Sequence, residues 1–475
     1  MRLGLRRILR CSRLHLTDRV IEKIQRLQER HMAGQTGGAG GTNGPRIVVV
    51  GGGAGGLELA TRLGDKLGKR GAAQIILVDR NPTHIWKPLL HEVAAGSMDP
   101  NTHQLEYAAQ ARWHGFEFQQ GELRGLDRVA KSIMVSRCVD ADGTEVLPER
   151  AISYDTLVLS IGSVTHFFGV PGTAEHAIAL DTAWQAERFR RRLIAACMRA
   201  QNGVGDARPQ VDIAIVGAGA TGVELSAELR NTAHVLAAYG LHKLDPRHDI
   251  RIHLIEGGPR ILPVLKERIS AATTELLRKL DVDVITSERV TEVTASAVNT
   301  ASGKFIPADL TVWAAGIRAP SVLGELGLPV NKLGQVIVSR TLQVEGDDSI
   351  YAFGDCASCP WPEASSSVPP RAQAAHQQAT YLFDALRKRM DGRPVQPFAF
   401  KDLGSLVSLG HFSAVGSLMG GLIGGSMFIE GLMARLMYTS LYRMHVLALH
   451  GWVRMSVDTV MHWLRSKTNP RVKLH

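Results

Sequence analysis

The chain has 475 residues, 45% of them hydrophobic and 21% charged, which is too long for one ordinary domain and supplies ample core for two or three. Its net charge of +10 is gathered at the ends: residues 1–43 carry nine Lys/Arg against three Asp/Glu, residues 401–475 carry eight against three, and the stretch between sums to −1. A near-neutral body with basic ends excludes a nucleic-acid groove and makes an anionic lipid surface the natural partner, while five scattered cysteines exclude a disulfide framework and fit a reducing compartment.

Residues 1–32 read as a basic helix with a loose apolar stripe (Leu5, Ile8, Leu9, Leu14, Val20, Ile24, Leu27), and residues 33–44 as a flexible Gly-rich linker. Two uses stay open for this extension: a targeting or membrane-touching arm, or a segment outside the working enzyme that ends near Met32. No uninterrupted apolar run follows the first ten residues, so no secretory signal is read.

From Arg46 the pattern becomes strand, glycine turn, helix. IVVV (47–50) is a β-branched run suited to a buried parallel strand, GGGAGG follows, LELATRLGDKL has helical spacing, and IILVD (75–79) is a second buried strand. The unit recurs: IVVVGGGAGGLELATRL (47–63) aligns with IAIVGAGATGVELSAEL (213–229), and RIHLIE (251–256) again ends a strand in an acid. The simplest reading is two dinucleotide sites in one chain.

In the first repeat Gly51, Gly53 and Gly56 form GxGxxG, with Ala54 and Gly55 inside it. The first glycine permits the tight turn, the second lets backbone approach a pyrophosphate, and the third lets helix and strand pack closely. The helix N-terminus offers free N–H groups to the phosphates, and Asp79 stands where a carboxylate accepts from ribose hydroxyls. Gly217, Gly219 and Gly222 repeat the device, with Glu256 as the acid. A carboxylate there favours NADH over NADPH, and Arg260 nearby keeps NADPH as the minor alternative. YDTLVLSIGS (154–163) and LTVWAAGIRAP (310–320) each run an apolar strand into a small-residue turn, at Gly162 and Gly316.

Residues 403–429, rich in Gly and Ser, read as strands and turns; residues 428–465 read as helical, broken at Gly451. Phe412 to Ile429 is uncharged over 18 residues, yet five are glycine, so no membrane span is expected there. Arg443, Arg454 and Arg465 recur every 11 residues and share one helix face, with Tyr438, Tyr442, Trp452 and Trp463 among Leu, Met and Val. That combination reads as helices lying in a membrane interface, with core or dimer packing as the alternative. Cys356 and Cys359 form a lone CxxC, which makes no zinc site, and no metal is expected; a redox dithiol and small buried residues are its two readings.

DDSIYAFGDCA (347–357) resembles the flavin-ribityl segment of the two-dinucleotide flavoprotein superfamily, which points to Asp355. HIWKPLLHEVAAGSMDP (84–100), ATGVELSAEL (220–229), IEGGPRILP (255–263), PPRAQAAHQQATYL (369–382), KDLGSLVSLG (401–410) and TSLYRMH (439–445) narrow the resemblance to type II NADH dehydrogenases, the non-pumping NADH:quinone oxidoreductases, and most to their bacterial members. The resemblance spans about residues 45–475. It implies noncovalent FAD, NADH as substrate, hydride transfer from NADH to FAD, two electrons passed to a membrane quinone, a homodimer, and peripheral (monotopic) attachment at the cytoplasmic face of a bacterial inner membrane.

Carried over by motif, Gly51, Gly53, Gly56, Asp79 and Asp355 would hold FAD, and Gly217, Gly219, Gly222 and Glu256 would hold NADH. Glu224 would face the flavin–nicotinamide region, although Glu58 occupies the matching place in the first repeat and leaves a structural role open. Gln373 and Gln377 match the family's AQxxxQ pair on one helix face that starts near Pro369 and Pro370, where both amides would donate to a quinone carbonyl. Lys87 and Lys401 are further candidates for flavin or quinone contact.

The expected architecture is α/β, with two Rossmann-like dinucleotide-binding domains, the second inserted in the first, and a C-terminal membrane-associating segment of amphipathic helices. The plan is a basic extension and linker (1–44), a FAD domain in two parts (45–165 and 319–400), an NADH domain (166–318) and a membrane-anchoring or dimerisation region (401–475). Two other readings stand beside it: a soluble NAD(P)H-dependent flavoprotein reductase, and a flavoprotein that only signals its redox state. A flavin disulfide reductase is disfavoured because residues 80–137 contain no Cys, and a sulfide:quinone oxidoreductase would not need the full second glycine motif with Glu256.

Overall fold

The computed structural model describes residues 44–430 apart from 141, 204–209, 239–242, 410–412 and 421–424, together with 443, 447 and 449. The N-terminal extension and the C-terminal helices read from sequence lie outside the described residues.

Taken in chain order, the elements that matter for the site are β1 (Arg46–Val50), α1 (Ala54–Lys66), β2 (Gln74–Asp79), α2 (Leu90–Ala95), β3 (Glu117–Gln120) and β4 (Thr156–Leu159). Then come β5 (Ala177–Ala179), α3 (Ala183–Asn202), β6 (Val211–Val216), α4 (Ala220–Ala238), β7 (Ile250–Ile255), α5 (Glu267–Lys279), β8 (Val282–Ile285) and β9 (Leu310–Trp313). The last are β10 (Ile350–Ala352), α6 (Ala372–Met390), β11 (Gly404–Leu409), β12 (Ser413–Gly420) and β13 (Gly425–Glu430).

Two five-stranded parallel sheets organise these elements. The first has the order β10-β4-β1-β2-β3 and the second β5-β9-β6-β7-β8. All strands of the second fall in sequence between β4 and β10 of the first, so one dinucleotide fold interrupts the other. The all-apolar runs are explained by their place: Val48, Val49, Leu77 and Val78 are buried at the centre of the first sheet, and Ile213, Ile215 and Leu254 at the centre of the second. Each such side chain contributes roughly 1.5–3 kcal/mol on burial, which is why these strands carry no polar alternation.

Two segments tie the first unit to the second. Helix α2 buries Leu90, Val93 and Ala94 in the same apolar cluster as Val223 and Leu229 of α4, and Val407 and Leu409 of β11 join that cluster. Thr232 on α4 adds a hydrogen bond of 2.8 Å to the Ala95 carbonyl. Strands β11, β12 and β13 pair as an antiparallel meander in the Gly- and Ser-rich stretch read from sequence as strands and turns. Helix α6 begins at Ala372 with Arg371 as its cap, so the two prolines lie just before the helix instead of in its first turn.

The second sheet carries a charged cross-strand cluster. His253 on β7 lies between Asp283 on β8 (3.1 Å) and Asp212 on β6 (3.4 Å). Burial disfavours the imidazolium, but hydrogen bonds to and the fields of both carboxylates outweigh it and push His253 up to about 9. A folded value above the ordinary 6.5 means that the stabilisation is complete below about pH 6.5 and is lost as pH rises through about 9. Asp283 is well exposed and screened, so His253→Ala is expected to cost roughly 1–2 kcal/mol near pH 6 and markedly less near pH 10. Thermal unfolding midpoints of both proteins at the two pH values check this; a pH-independent difference contradicts the charged cluster.

Candidate functional site

The two glycine loops open on one cleft of about 1930 Å³, well above the ~300–1,000 Å³ of a single small-molecule pocket. In each loop the first glycine has φ of +101° (Gly51 and Gly217), a conformation that other residues avoid. A Cβ on Gly56 would overlap the Gly51 carbonyl oxygen, and one on Gly222 would overlap that of Gly217, so each helix starts against its own strand. The middle glycines behave differently. A Cβ on Gly53 or Gly219 meets no atom within 4 Å, so no packing in the protein demands glycine there. Open backbone at this place in the loop suits the approach of a phosphate. Both helices that follow, α1 and α4, lack an acid in the first turn and so present their N–H groups and dipole uncontested.

The acids close the loops in the same way twice. Asp79 accepts from Gly52 N–H (2.7 Å) and Asn81 N–H (2.8 Å); Glu256 accepts from Ala218 N–H (2.9 Å) and Gly258 N–H (2.8 Å). A carboxylate has about four acceptor positions, so capacity remains for ribose hydroxyls. Burial raises the Asp79 carboxyl above its ordinary value against these hydrogen bonds. The Arg260 guanidinium donates to the carbonyls of Leu265 (2.7 Å) and Pro263 (2.8 Å).

The first loop has two further supports that sequence reasoning missed. Tyr107 donates its hydroxyl to the Gly52 carbonyl (2.7 Å), and His84 Nδ1 bonds the same oxygen (2.9 Å). Burial lowers His84 to about 4, so its ring is neutral at pH 7 and donates from Nδ1. In the second loop the equivalent Ala218 carbonyl accepts from a backbone N–H, that of Leu262. The only sequence signal for His84 was its place inside the HIWKPLLHEV motif; Tyr107 offered none.

Asp355 lies in the cleft beside Gly162, and the Ser163 hydroxyl donates to its carboxylate (2.8 Å). Burial raises its carboxyl, partly offset by that bond and by the Lys87 charge. Lys87 Nζ bridges Asp181 (3.0 Å) and the Ser163 carbonyl (2.9 Å). Asp181 is held by the start of α3, where Thr182 and Gln185 form a capping box and Gln185 also accepts from Asp181 N–H. Glu224 is buried at the cleft wall with its carboxylate 3.5 Å from His91 Nδ1. Burial lowers His91 to about 4, so it meets Glu224 as a neutral ring. The repeat-matched Glu58 has a different setting, paired with Arg62 and His376.

Gln373 and Gln377 both line the cleft, but their amides are engaged. Gln373 Nε2 donates to Asp402 (3.2 Å) and to the Gly404 carbonyl (3.0 Å), and its oxygen accepts from Leu403 N–H. Gln377 makes a two-way pair with the Lys401 backbone, at 2.8 and 3.0 Å. Arg371 adds an ion pair to Asp402 at 3.2 Å. The pair therefore clamps residues 401–404 to α6. Gly51, Gly53, Ala54, Gly55, Gly56, Asp79, Lys87, Gly162, Gly217, Gly219, Glu224, Glu256, Gly316 and Asp355 share the cleft with both glutamines; Gly222 and the Lys401 side chain are not among its lining. Gly222 is withdrawn against Gly217, and Lys401 contributes its backbone instead. Cys356 and Cys359 are fully buried, and burial pushes their thiols up to about 12 and about 11, which removes the thiolate chemistry of a redox pair.

The profile of the pyridine nucleotide-disulphide oxidoreductase family matches residues 45–379. The type II NADH:quinone oxidoreductase of Haemophilus influenzae is 41% identical over 443 residues, covering 90% of this chain and 99% of that protein. The demethylphylloquinone reductase NdbB of a Synechocystis species is 31% identical, over 84% and 92% of the two chains. The solved structure of NDH2 from Plasmodium falciparum in complex with NADH superposes with a TM-score of 0.73 at 19% identity, covering 88% of this chain and 97% of that one, which shows a shared fold. The chain therefore belongs to the pyridine nucleotide-disulphide oxidoreductase family and, within it, to the type II NADH:quinone oxidoreductases.

Proposed function

We propose that the chain holds FAD noncovalently at the first glycine loop, binds NADH at the second, and passes two electrons from NADH to a membrane quinone without pumping protons. The observation that carries this reading is that two loops of the same build, each closed by a strand-end carboxylate, open on one cleft with room for two dinucleotides. When bound, the flavin supplies the two-electron chemistry that links a nicotinamide to a quinone.

The residues divide the work. Gly51, Gly53, Ala54, Gly55 and Gly56 with the start of α1 receive the FAD pyrophosphate, Asp79 the adenosine ribose, and Asp355 the ribityl chain. Gly162, Gly316 and Lys87 line the flavin region. Gly217, Gly219 and Gly222 with the start of α4 receive NADH, and Glu256 selects its free 2′-hydroxyl. Glu224 faces the nicotinamide side of the cleft beside neutral His91. Gln373 and Gln377, by holding residues 401–404, shape the acceptor side, with Lys401 at its rim. Among the described residues no helix is long and apolar enough to cross a membrane. Peripheral attachment at the cytoplasmic face of a bacterial inner membrane, and a homodimer, are proposed from the basic, aromatic C-terminal sequence.

Absorbance of the purified protein tests the whole reading: flavin bands that bleach with NADH and return with quinone are expected, and bands that NADH leaves untouched refute it. Tyr107→Phe removes one of two side-chain donors to Gly52, worth ~0.5–1.5 kcal/mol, so flavin should dissociate roughly threefold to tenfold more readily. Equilibrium ultrafiltration measures this, and unchanged retention removes Tyr107 from the site. Glu256→Ala should raise KM for NADH and narrow the preference over NADPH; steady-state kinetics with both donors decide it, and unchanged selectivity sinks the assignment. The double variant Gln373→Ala/Gln377→Ala frees residues 401–404. It is expected to slow flavin reoxidation by quinone ~tenfold or more while flavin reduction by NADH stays nearly intact. Stopped-flow measurement of the two half-reactions separates the sides; a loss confined to the NADH step places the pair wrongly.

A further inference from the structure

Reduction of a quinone consumes two electrons and two protons. NADH brings both electrons but one proton, so the balance NADH + H+ + quinone → NAD+ + quinol draws one proton from solution. A side chain on the acceptor side that can ionise would hand that proton to the quinone oxygen faster than bulk water does. Among the described side chains that α6 and residues 403–407 present to the cleft, those with a polar hydrogen are Arg371, Gln373, His376 and Gln377. Arg371 is paired with Asp402 and its guanidinium does not give up a proton. The amides do not ionise, and both are engaged with residues 401–404. His376 remains.

His376 is built for the task. It stands on α6 between the two glutamines, lines the cleft, and its side chain is 38% exposed. Its Nδ1 bonds Glu58 at 2.6 Å. Glu58 is almost fully buried on α1, where Arg62 (2.9 Å) and Thr380 (3.5 Å) fix the other carboxylate oxygen. With Nδ1–H held by Glu58, the ring is oriented and Nε2 is left as its exchangeable atom. Nε2 makes no hydrogen bond among the described residues. The charged groups linked to the ring are Glu58 and, through it, Arg62, both from α1.

We propose that His376, seated on Glu58, is the proton donor to the quinone. The proposal rests on the reading of the acceptor as a quinone. In the step, the Nε2–H bond of the imidazolium breaks as an O–H bond forms on the quinone oxygen that receives electrons. The N–H electron pair stays on Nε2, the ring keeps its Nδ1–H on Glu58, and water in the cleft returns a proton to Nε2. General-acid assistance of this kind is worth ~10²–10⁴-fold.

The test compares wild type with His376→Ala and His376→Asn, the latter keeping an N–H for Glu58 without an ionisable group. A short-tail soluble benzoquinone is one acceptor; ferricyanide, which takes electrons without protons, is the other. Both variants are expected to reoxidise with benzoquinone ~10²-fold more slowly or worse, to keep the wild-type rate with ferricyanide, and, for His376→Ala, to recover quinone reduction when imidazole is added. Glu58→Gln should give an intermediate loss with quinone alone. Wild-type quinone rates in both variants, equal losses with the two acceptors, or a failure of imidazole to rescue overturn the proposal. Wild-type protein that NADH reduces, that ferricyanide reoxidises and that no benzoquinone reoxidises overturns the quinone reading itself, and is distinguishable from the other outcomes.

Discussion

The carboxylate of Asp79 accepts the N–H of Gly52, and the carboxylate of Glu256 accepts the N–H of Ala218. Each of these bonds joins the end of one strand to the turn that leaves its neighbour, so the loop, the helix behind it and the acid move as one body. The geometry of a phosphate site follows from that constraint. With the first glycine locked at φ of +101° and the third glycine pressed on the first, the middle glycine alone is left facing open space. Partly buried carboxylates are costly unless hydrogen-bonded, and these are satisfied by the loops they organise before any ligand arrives. Preorganisation of this kind lowers the ordering cost of binding.

The two sites must also be held at a fixed separation, because electrons pass between bound groups and not through the protein chain. Helix α2 performs this. It belongs by sequence to the first dinucleotide unit but buries Leu90, Val93 and Ala94 in the core of the second. Its preceding segment carries Lys87 to Asp181 and Ser163, and its first turn carries His91 to Glu224. The meander strand β11 joins the same core through Val407 and Leu409, so the acceptor wall and the donor unit share one packed interior.

What could be read from the sequence is what repeats or alternates at short range. The two glycine turns, their buried strands and their acids were legible because each lies inside one local unit, and the offset between the units exposed the duplication. The insertion of one unit in the other was legible from element order. What escaped was created by long-range contact. His84 and Tyr107 converge on Gly52 from 32 and 55 residues away, and His376 meets Glu58 across 318. No periodicity encodes such pairs. The spacing of Gln373 and Gln377 announced a shared helix face, but not that the face is covered by residues 401–404, so their donors were assigned outward when most are turned to the backbone.

The duplication also explains how one architecture serves two unlike chemistries. Glu58 and Glu224 occupy the same position after the third glycine of their loops. In the second unit the neighbour is His91, kept neutral by burial, and the acid stands at the wall of the cleft. In the first unit helix α6 packs along α1, and the acid acquires Arg62, Thr380 and His376. The scaffold fixes where a carboxylate appears; the helix laid across it decides what that carboxylate can do. On the donor side no proton need be supplied, and the histidine there is held off ionisation by desolvation. On the acceptor side a proton is consumed, and the histidine there is half-exposed and backed by a carboxylate that orients it. The chemical asymmetry of the reaction is thus matched by the environments of two histidines, set on equivalent acids of a repeated fold.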